Sequence, residues 1–193
     1  MTQHQDGKIE IVGTREAYAG WTKLLVATAR LPDGRVIERE IEHHGDGVCV
    51  LPYHPIRKTA VLVRQPRVAA LFAASAQETL EAVAGVVEGG DPAACAHRET
   101  MEEARLRLDS LTHLFTAWSM PGISSERMHF YLGIYSGEPR PETRGGVASE
   151  DETTIAAEIG LAALARMADD NTLADAKTLL LVQTLRLREP ELF

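Results

Sequence analysis

An α/β fold of the α+β kind, preceded by a small N-terminal β subdomain, is what this 193-residue sequence predicts, on three observations. Strand-like runs separated by turn residues crowd the stretch from Lys8 to Gln65. A run opening at Pro92 and carrying Arg98, Glu99, Glu102 and Glu103 has helical spacing, and the chain from Leu161 onward is helical by composition and period. With 45% hydrophobic and 25% charged residues the chain can bury a normal core, which excludes a disordered protein. The length suits one domain, or a domain with a small extension.

In chain order, Lys8 to Val12 alternates with Ile9 and Ile11 on one face and reads as an edge strand. Lys23 to Arg30 leads through the turn signature Pro32-Asp33-Gly34 into Val36 to Glu42, giving a hairpin. Tyr18 and Trp21 stand just before it, as packing residues or as stacking surfaces for a ligand. His43-His44-Gly45-Asp46-Gly47 is a loop. Adjacent histidines in extended chain point to opposite sides, so they do not share a metal. This loop divides an N-terminal β subdomain, residues 1–44, from a main domain, residues 45–193. Val48 to Tyr53 and Thr59 to Gln65 are two further strands around a turn at Pro55. Arg64 and Arg67, at the end of the second, either bind a diphosphate through bidentate hydrogen bonds or solvate a strand end. The alanine-rich stretch Ala69 to Ala76 reads as a loop, and Glu78 to Glu81 as a strand.

Pro92 fits the first turn of a helix, with Asp91 as its N-cap. On that helix Glu99 and Glu103 lie at i,i+4 on one face, with Glu102 beside them. Like charges so placed repel, and a hard divalent cation turns the repulsion into ligation; the alternative is a solvated acidic face. Gly85, Gly89 and Gly90 make a flexible approach whose carbonyls can face a metal. Arg105-Leu106-Arg107-Leu108 offers no helix breaker, so the helix is expected to run a few residues past Glu103 and turn near Asp109-Ser110. Leu106 to Trp118 reads as one strand or a pair, Met120 to Arg127 as a turn and polar loop, and His129 to Tyr135 as a buried strand. Glu138 to Glu152, polar and rich in Pro and Gly, reads as a flexible loop of the kind that closes over ligand. Ile155 to Ile159 is a last strand, and Leu161 to Met167 and Thr172 to Leu187 are helices.

The formal charge is −8, from 28 acidic against 20 basic residues, and basic tracts interleaved with aromatics are missing. Both facts argue against a broad nucleic-acid or membrane surface. No apolar run reaches membrane-spanning length, and MTQHQDGK lacks the apolar core of a signal peptide. Cys49 and Cys95 read as free thiols. A cytoplasmic protein with no nucleic-acid or membrane partner is expected.

The stretch from Gly85 to Arg105 resembles the Nudix box, G-x5-E-x7-R-E-U-x-E-E-x-G-U with U aliphatic. Gly85 opens it, Asp91 stands at the first acidic position, and Arg98-Glu99-Thr100-Met101-Glu102-Glu103 reproduces the REUxEE core. Asp91 replaces Glu, the spacer to Arg98 is one residue short, Thr100 replaces an aliphatic residue and Arg105 replaces the glycine. The short spacer with Cys95 inside it is similar to the GDP-mannose pyrophosphatase branch. Leu62-Val63-Arg64-Gln65-Pro66-Arg67 resembles the LxRQxR strand of ADP-ribose and nucleoside-diphosphate-sugar pyrophosphatases. Met120 to Arg127 resembles their PGG-T-S-E-R loop, Glu150-Asp151-Glu152 their acidic loop, and Asp175-Ala176-Lys177-Thr178-Leu179-Leu180, within the helix Thr172 to Leu187, is similar to their closing DAKT-LL helix.

The resemblance implies an α/β/α sandwich with a mixed sheet, and Mg²⁺-dependent hydrolysis of a nucleoside diphosphate sugar of the ADP-ribose or GDP-mannose type, with Mn²⁺ as an alternative ion. It implies Glu99, Glu103 and the Ala84 carbonyl as metal ligands, Glu102 as an addition to the site, and Arg98 as the residue orienting a box carboxylate. Glu150 or Glu152 would be the general base. Substrate contacts are implied at Trp21, Arg39, Arg64, Arg67, Glu81 and Glu126, and a homodimer built through the N-terminal subdomain. Two other readings stay open: a sensor of the same fold that binds a nucleotide sugar without cleaving it, favoured by Asp91 and Arg105, and an enzyme of the family acting on another nucleoside diphosphate derivative.

Overall fold

The computed structural model describes residues 7–139, 144–145 and 154–193. Two compact units arise: residues up to Asp46 together with Ala117–Met128, and Gly47–Thr116 together with His129–Phe193.

In the first unit β1 (Glu10–Ala19), β2 (Lys23–Arg30) and β3 (Val36–His43) form an antiparallel sheet in that order. β2 turns into β3 through Gly34, whose φ of 85° suits only a residue without a side chain and whose N–H closes on the Leu31 carbonyl at 2.9 Å. β1 is longer than the expected Lys8 to Val12. Register shifts at Ile11/Gly13 and Glu16/Tyr18 let it stay paired with β2 where simple alternation fails. The returning segment lies against β3: the Glu42 N–H donates to the Ile123 carbonyl at 2.9 Å, and the Ser125 N–H to the Glu42 carbonyl at 3.0 Å.

The second unit is built on an eight-stranded mixed sheet. Its elements in chain order begin with β4 (Gly47–His54), β5 (Thr59–Gln65), α1 (Val68–Ala74), β6 (Thr79–Glu81), β7 (Val83–Val86) and α2 (Pro92–Ala104). They continue with β8 (Ser110–Trp118), β9 (Arg127–Ile134), β10 (Arg144–Gly145), β11 (Thr154–Gly160), α3 (Leu161–Asp169) and α4 (Ala176–Arg188). The far ends of β8 and β9 group with the first unit. The strand order is β10-β11-β5-β4-β9-β8, with β6 on β5 and β7 on β4. β4 and β5 are buried on both faces, which is why they read as continuous apolar runs. Val48, Val50, Val61, Val63 and Val83 pack with Cys95, Ala96 and Ala104 of α2. The alternate residues Cys49, Leu51, Ala60 and Leu62 are equally buried, and α3 and α4 close that side with Leu161, Leu164, Leu181 and Leu185. The sandwich is thus helix, sheet, helix.

Three expectations fail, and the last helix begins not at the expected Thr172 but at Ala176, where Asp175 is its N-cap. Ala69 to Ala76 is not a loop: Val68–Ala74 is the helix α1, ended by Ser75 in the left-handed region with φ 56°. Alanine and leucine favour helix, but no residue of α1 is buried, so the sequence carries no burial period to announce it. Leu106 to Trp118 yields one strand starting only at Ser110, because Leu106 and Leu108 bury themselves in the α2-side core first. The third failure is the end of α2. It stops at Ala104, and Arg105 takes the left-handed cap with φ 54°. Its N–H and that of Leu106 (3.3 Å) both donate to the Thr100 carbonyl, and the Thr154 hydroxyl satisfies the Glu103 carbonyl at 3.2 Å. Burying Leu106 and Leu108 outweighs the roughly 1 kcal/mol that a non-glycine residue loses in this conformation. The chain therefore makes the glycine turn without the glycine.

Candidate active site

Asp91 caps α2, its carboxylate accepting the Ala93 N–H at 3.1 Å, and Pro92 occupies the first turn. From that start the helix presents Glu99 and Glu103, one turn apart, toward β7. They are only 9% and 3% exposed. Glu103 Oε2 accepts the Ala84 N–H at 3.2 Å. Gly85 lies so close to Glu99 that a Cβ there would collide with the Glu99 carboxyl. A glycine is required at this position for that close approach. Thr100 fits its aliphatic position because it is fully buried and its hydroxyl donates to the Ala96 carbonyl at 2.8 Å.

Arg98 does more than meet Glu102. Its Nη1 donates to Glu102 Oε2 at 2.7 Å and its Nη2 to Glu99 Oε1 at 2.6 Å, so one planar fork fixes two carboxylates. Cys95 supports the same corner: its thiol donates to the Val86 carbonyl at 3.4 Å and lies 3.9 Å from Glu99 Oε1. Burial and the Glu99 charge push that thiol up, keeping it protonated and able to donate.

Oxygen donors on two nearly buried carboxylates, beside a strand backbone that glycine brings close, suit a hard divalent cation. Among the described residues no three acidic, histidine or cysteine side chains are already gathered as a metal cluster. Glu99, Glu103 and the Ala84 backbone are the groups that fit. Glu150 and Glu152 lie outside the described residues, as does most of the 138–152 loop.

A second polar cluster stands where β6 meets α4. Arg67 donates to both oxygens of Glu81 at 2.8 and 2.9 Å, the Thr79 hydroxyl donates to Glu81 Oε1 at 2.5 Å, and Lys177 Nζ lies 3.4 Å from Oε2. Lys177 also pairs with Asp175 at 2.7 Å. Burial alone would raise the Glu81 carboxyl, but hydrogen bonds from Arg67 and Thr79 and the Lys177 and Arg67 charges hold it at about 2. Arg67 and Lys177 thus stand around one buried carboxylate, with Asp175 as the second acid of the cluster, so its two positive and two negative charges balance. Arg64 is elsewhere on the strand end, paired with the half-exposed Glu78 at 3.1 Å.

Trp21, Arg39 and Glu126 belong to the first unit. Trp21, 78% exposed, stacks on the His44 ring at 5.0 Å between centroids and 28° between planes. His44 Nε2 lies 3.2 Å from Glu42 and 4.0 Å from Glu126. Arg39 is exposed and donates to the Glu38 carbonyl at 2.7 Å. The sequence alone gives no role to Lys177, Thr178 or Thr79. The available signal was Asp175 placed three before Thr178 at a helix start, an N-cap spacing that puts Lys177 in the first turn.

A NUDIX domain model matches residues 43–181. The GDP-mannose pyrophosphatase of Cronobacter sakazakii is 33% identical over 159 residues, covering 81% of this chain and 82% of that protein. The GDP-mannose pyrophosphatase of Escherichia coli K12 is 32% identical over 157 residues, covering 80% and 81%. A crystal structure of an ADP compounds hydrolase superposes with a TM-score of 0.75 at 20% identity, covering 96% of each chain, which is a likeness of fold.

Proposed function

The chain belongs to the NUDIX hydrolase family, and from that premise we propose that it hydrolyses the pyrophosphate bond of a nucleoside diphosphate sugar of the GDP-mannose or ADP-ribose type. The observation that carries this reading is the pair of nearly buried carboxylates, Glu99 and Glu103, held against Ala84 and Gly85. The names of the relatives, GDP-mannose pyrophosphatases, support the substrate class.

In this reading Glu99, Glu103 and the Ala84 carbonyl hold Mg²⁺ or Mn²⁺. A cation bound there supplies charge neutralisation of the diphosphate. Arg98 keeps Glu99 and Glu102 in fixed rotamers. Arg67 and Lys177 draw the diphosphate oxygens, while Glu81 holds the two cations in place. Glu150 or Glu152 takes the proton of the attacking water. The water oxygen bonds to one phosphorus, the bridging P–O bond breaks, and the leaving oxygen departs on the other phosphate. The products are a nucleoside monophosphate and a sugar phosphate. Trp21, Arg39, Arg64 and Glu126 serve as further substrate contacts.

The N-terminal subdomain, residues 1–44, is in this reading the interface of a homodimer; Ile11 and Val36 of its sheet, and Ile9 just before it, are exposed within the chain. Among the described residues no helix is long and apolar enough to cross a membrane, and the proposed place of action is the cytoplasm. The test is a panel of nucleoside diphosphate sugars and nucleoside triphosphates, each with Mg²⁺, analysed for products. Monophosphate and sugar phosphate from the sugar nucleotides alone are expected; release of pyrophosphate from triphosphates at a higher rate would overturn the substrate class.

A further inference from the structure

The strand facing the acidic helix changes partners at Ala82. Up to Glu81 it pairs with β5, Val63 against Glu81; from Val83 it pairs with β4, Val50 against Val83 and Cys49 against Ala84. Ala82 itself is fully buried, and its N–H leaves the ladder. It donates instead to Thr178 Oγ1 on α4 at 2.6 Å, across 96 residues of sequence. Thr178 is fully buried and fixed in its turn. Its hydroxyl donates to Asp175 Oδ2 at 2.6 Å, and its N–H donates to the same oxygen at 3.0 Å. A hydroxyl has one donor and two acceptor positions, so donating to Asp175 commits its only proton and leaves it able to receive only as an acceptor, as it does from Ala82.

Two residues on, the Ala84 N–H donates to Glu103 and Gly85 lies against Glu99. The segment Ala82–Gly85 is therefore suspended between two helices, tied to α4 by Thr178 and to α2 by Glu103. We propose that Thr178 is a positioning residue for the cation site, acting through the Ala82 N–H to set where the Ala84 backbone stands relative to Glu99 and Glu103. The proposal rests on the reading that those groups hold the cation. Removing the hydroxyl leaves a buried N–H without its acceptor, and the strand must rotate its peptide planes to find another. The next planes in line are those of Val83 and Ala84. The loss is therefore felt at the cation site, although Thr178 touches neither carboxylate.

The experiment compares the full chain with T178V, which keeps the branched shape without the hydroxyl, and T178S, which keeps the hydroxyl. Mn²⁺ binding is measured by electron paramagnetic resonance without substrate, and backbone amide exchange is followed over residues 82–86 without metal. T178V is expected to speed exchange in that segment and to weaken Mn²⁺ binding by roughly tenfold to a hundredfold, as removal of an outer support does. T178S should restore both. Parental Mn²⁺ affinity in folded T178V, or a T178S as weak as T178V, would overturn the proposal. D175N, which weakens the acceptor that orients the hydroxyl, should shift Mn²⁺ affinity in the same direction and decides the matter if T178V does not fold. A parent chain that binds no Mn²⁺ sinks the cation reading, and exchange over 82–86 then decides Thr178 alone: no change in T178V overturns its positioning role.

Discussion

Replacing Glu81 by Gln should make the stability of this protein less sensitive to acid, and the size of the effect follows from its surroundings. Glu81 is buried, receives Arg67 on both oxygens, and lies near Lys177. Its carboxyl titrates at about 2, against roughly 4.3 in an unfolded chain. A folded value below the unfolded one adds stability that is complete above the unfolded pKa and is lost as pH falls through the folded one. The gap corresponds to about 3 kcal/mol, of which roughly half is gone by pH 3. Glu81→Gln removes the titration and leaves the Arg67 and Lys177 charges without the carboxylate, so at pH 7 it should cost about 3 kcal/mol or more. Urea unfolding of both proteins between pH 7 and pH 3 measures this. The stability difference should narrow by roughly 1.5–2 kcal/mol from pH 7 to pH 3. Parallel curves across that range would refute the claim that the folded protein holds Glu81 ionised.

Gly85→Ala places a methyl group against the Glu99 carboxyl; stability should fall by about 1–3 kcal/mol, and turnover should drop with the displaced carboxylate. Thermal melting and a hydrolysis assay check this, and parental turnover would contradict the close approach as a functional feature. Arg105→Gly should stabilise the protein by about 0.5–1 kcal/mol, because Arg105 sits at φ 54° where glycine is unstrained. The sign is diagnostic in urea unfolding: a loss of about 1 kcal/mol is what glycine causes inside a continuous helix, and it would mean that α2 runs on.

What the sequence made legible divides along the distance between interacting residues. Glu99, Glu103 and Arg98 are neighbours on one helix, so their shared face and the Arg98–Glu102 pair follow from spacing alone. The hairpin at Gly34 and the cap at Asp91 are local too, and local chemistry announces them; the Asp175 cap is equally local, yet it lies inside the helix expected from Thr172. Arg105 is the opposite case. Its propensity argues for helix, and the left-handed turn is imposed by Leu106 and Leu108 reaching a core that the local sequence does not reveal. α1 was hidden because no residue of it is buried, leaving propensity without pattern. The second polar cluster joins Glu81 to Lys177 and Ala82 to Thr178, partners 96 residues apart in both cases, and no spacing rule predicts such a meeting. Arg64 and Arg67 looked equivalent from the strand end, yet only Arg67 reaches the buried carboxylate. Trp21 and Tyr18 stood between packing and ligand contact. In the fold both are mostly exposed, with Trp21 stacked on His44.

In the proposed reading Glu99 and Glu103 hold the divalent cation on which hydrolysis depends. Glu103→Gln tests it most directly, because the amide keeps the size of the side chain and removes the charge that attracts the cation. Turnover of GDP-mannose and ADP-ribose is measured against Mg²⁺ concentration for the parent and the variant, with the melting temperature as a check on the fold. The variant should fold, and its turnover at limiting Mg²⁺ should fall by roughly a hundredfold or more. Near-parental turnover of Glu103→Gln at limiting Mg²⁺ would contradict that reading.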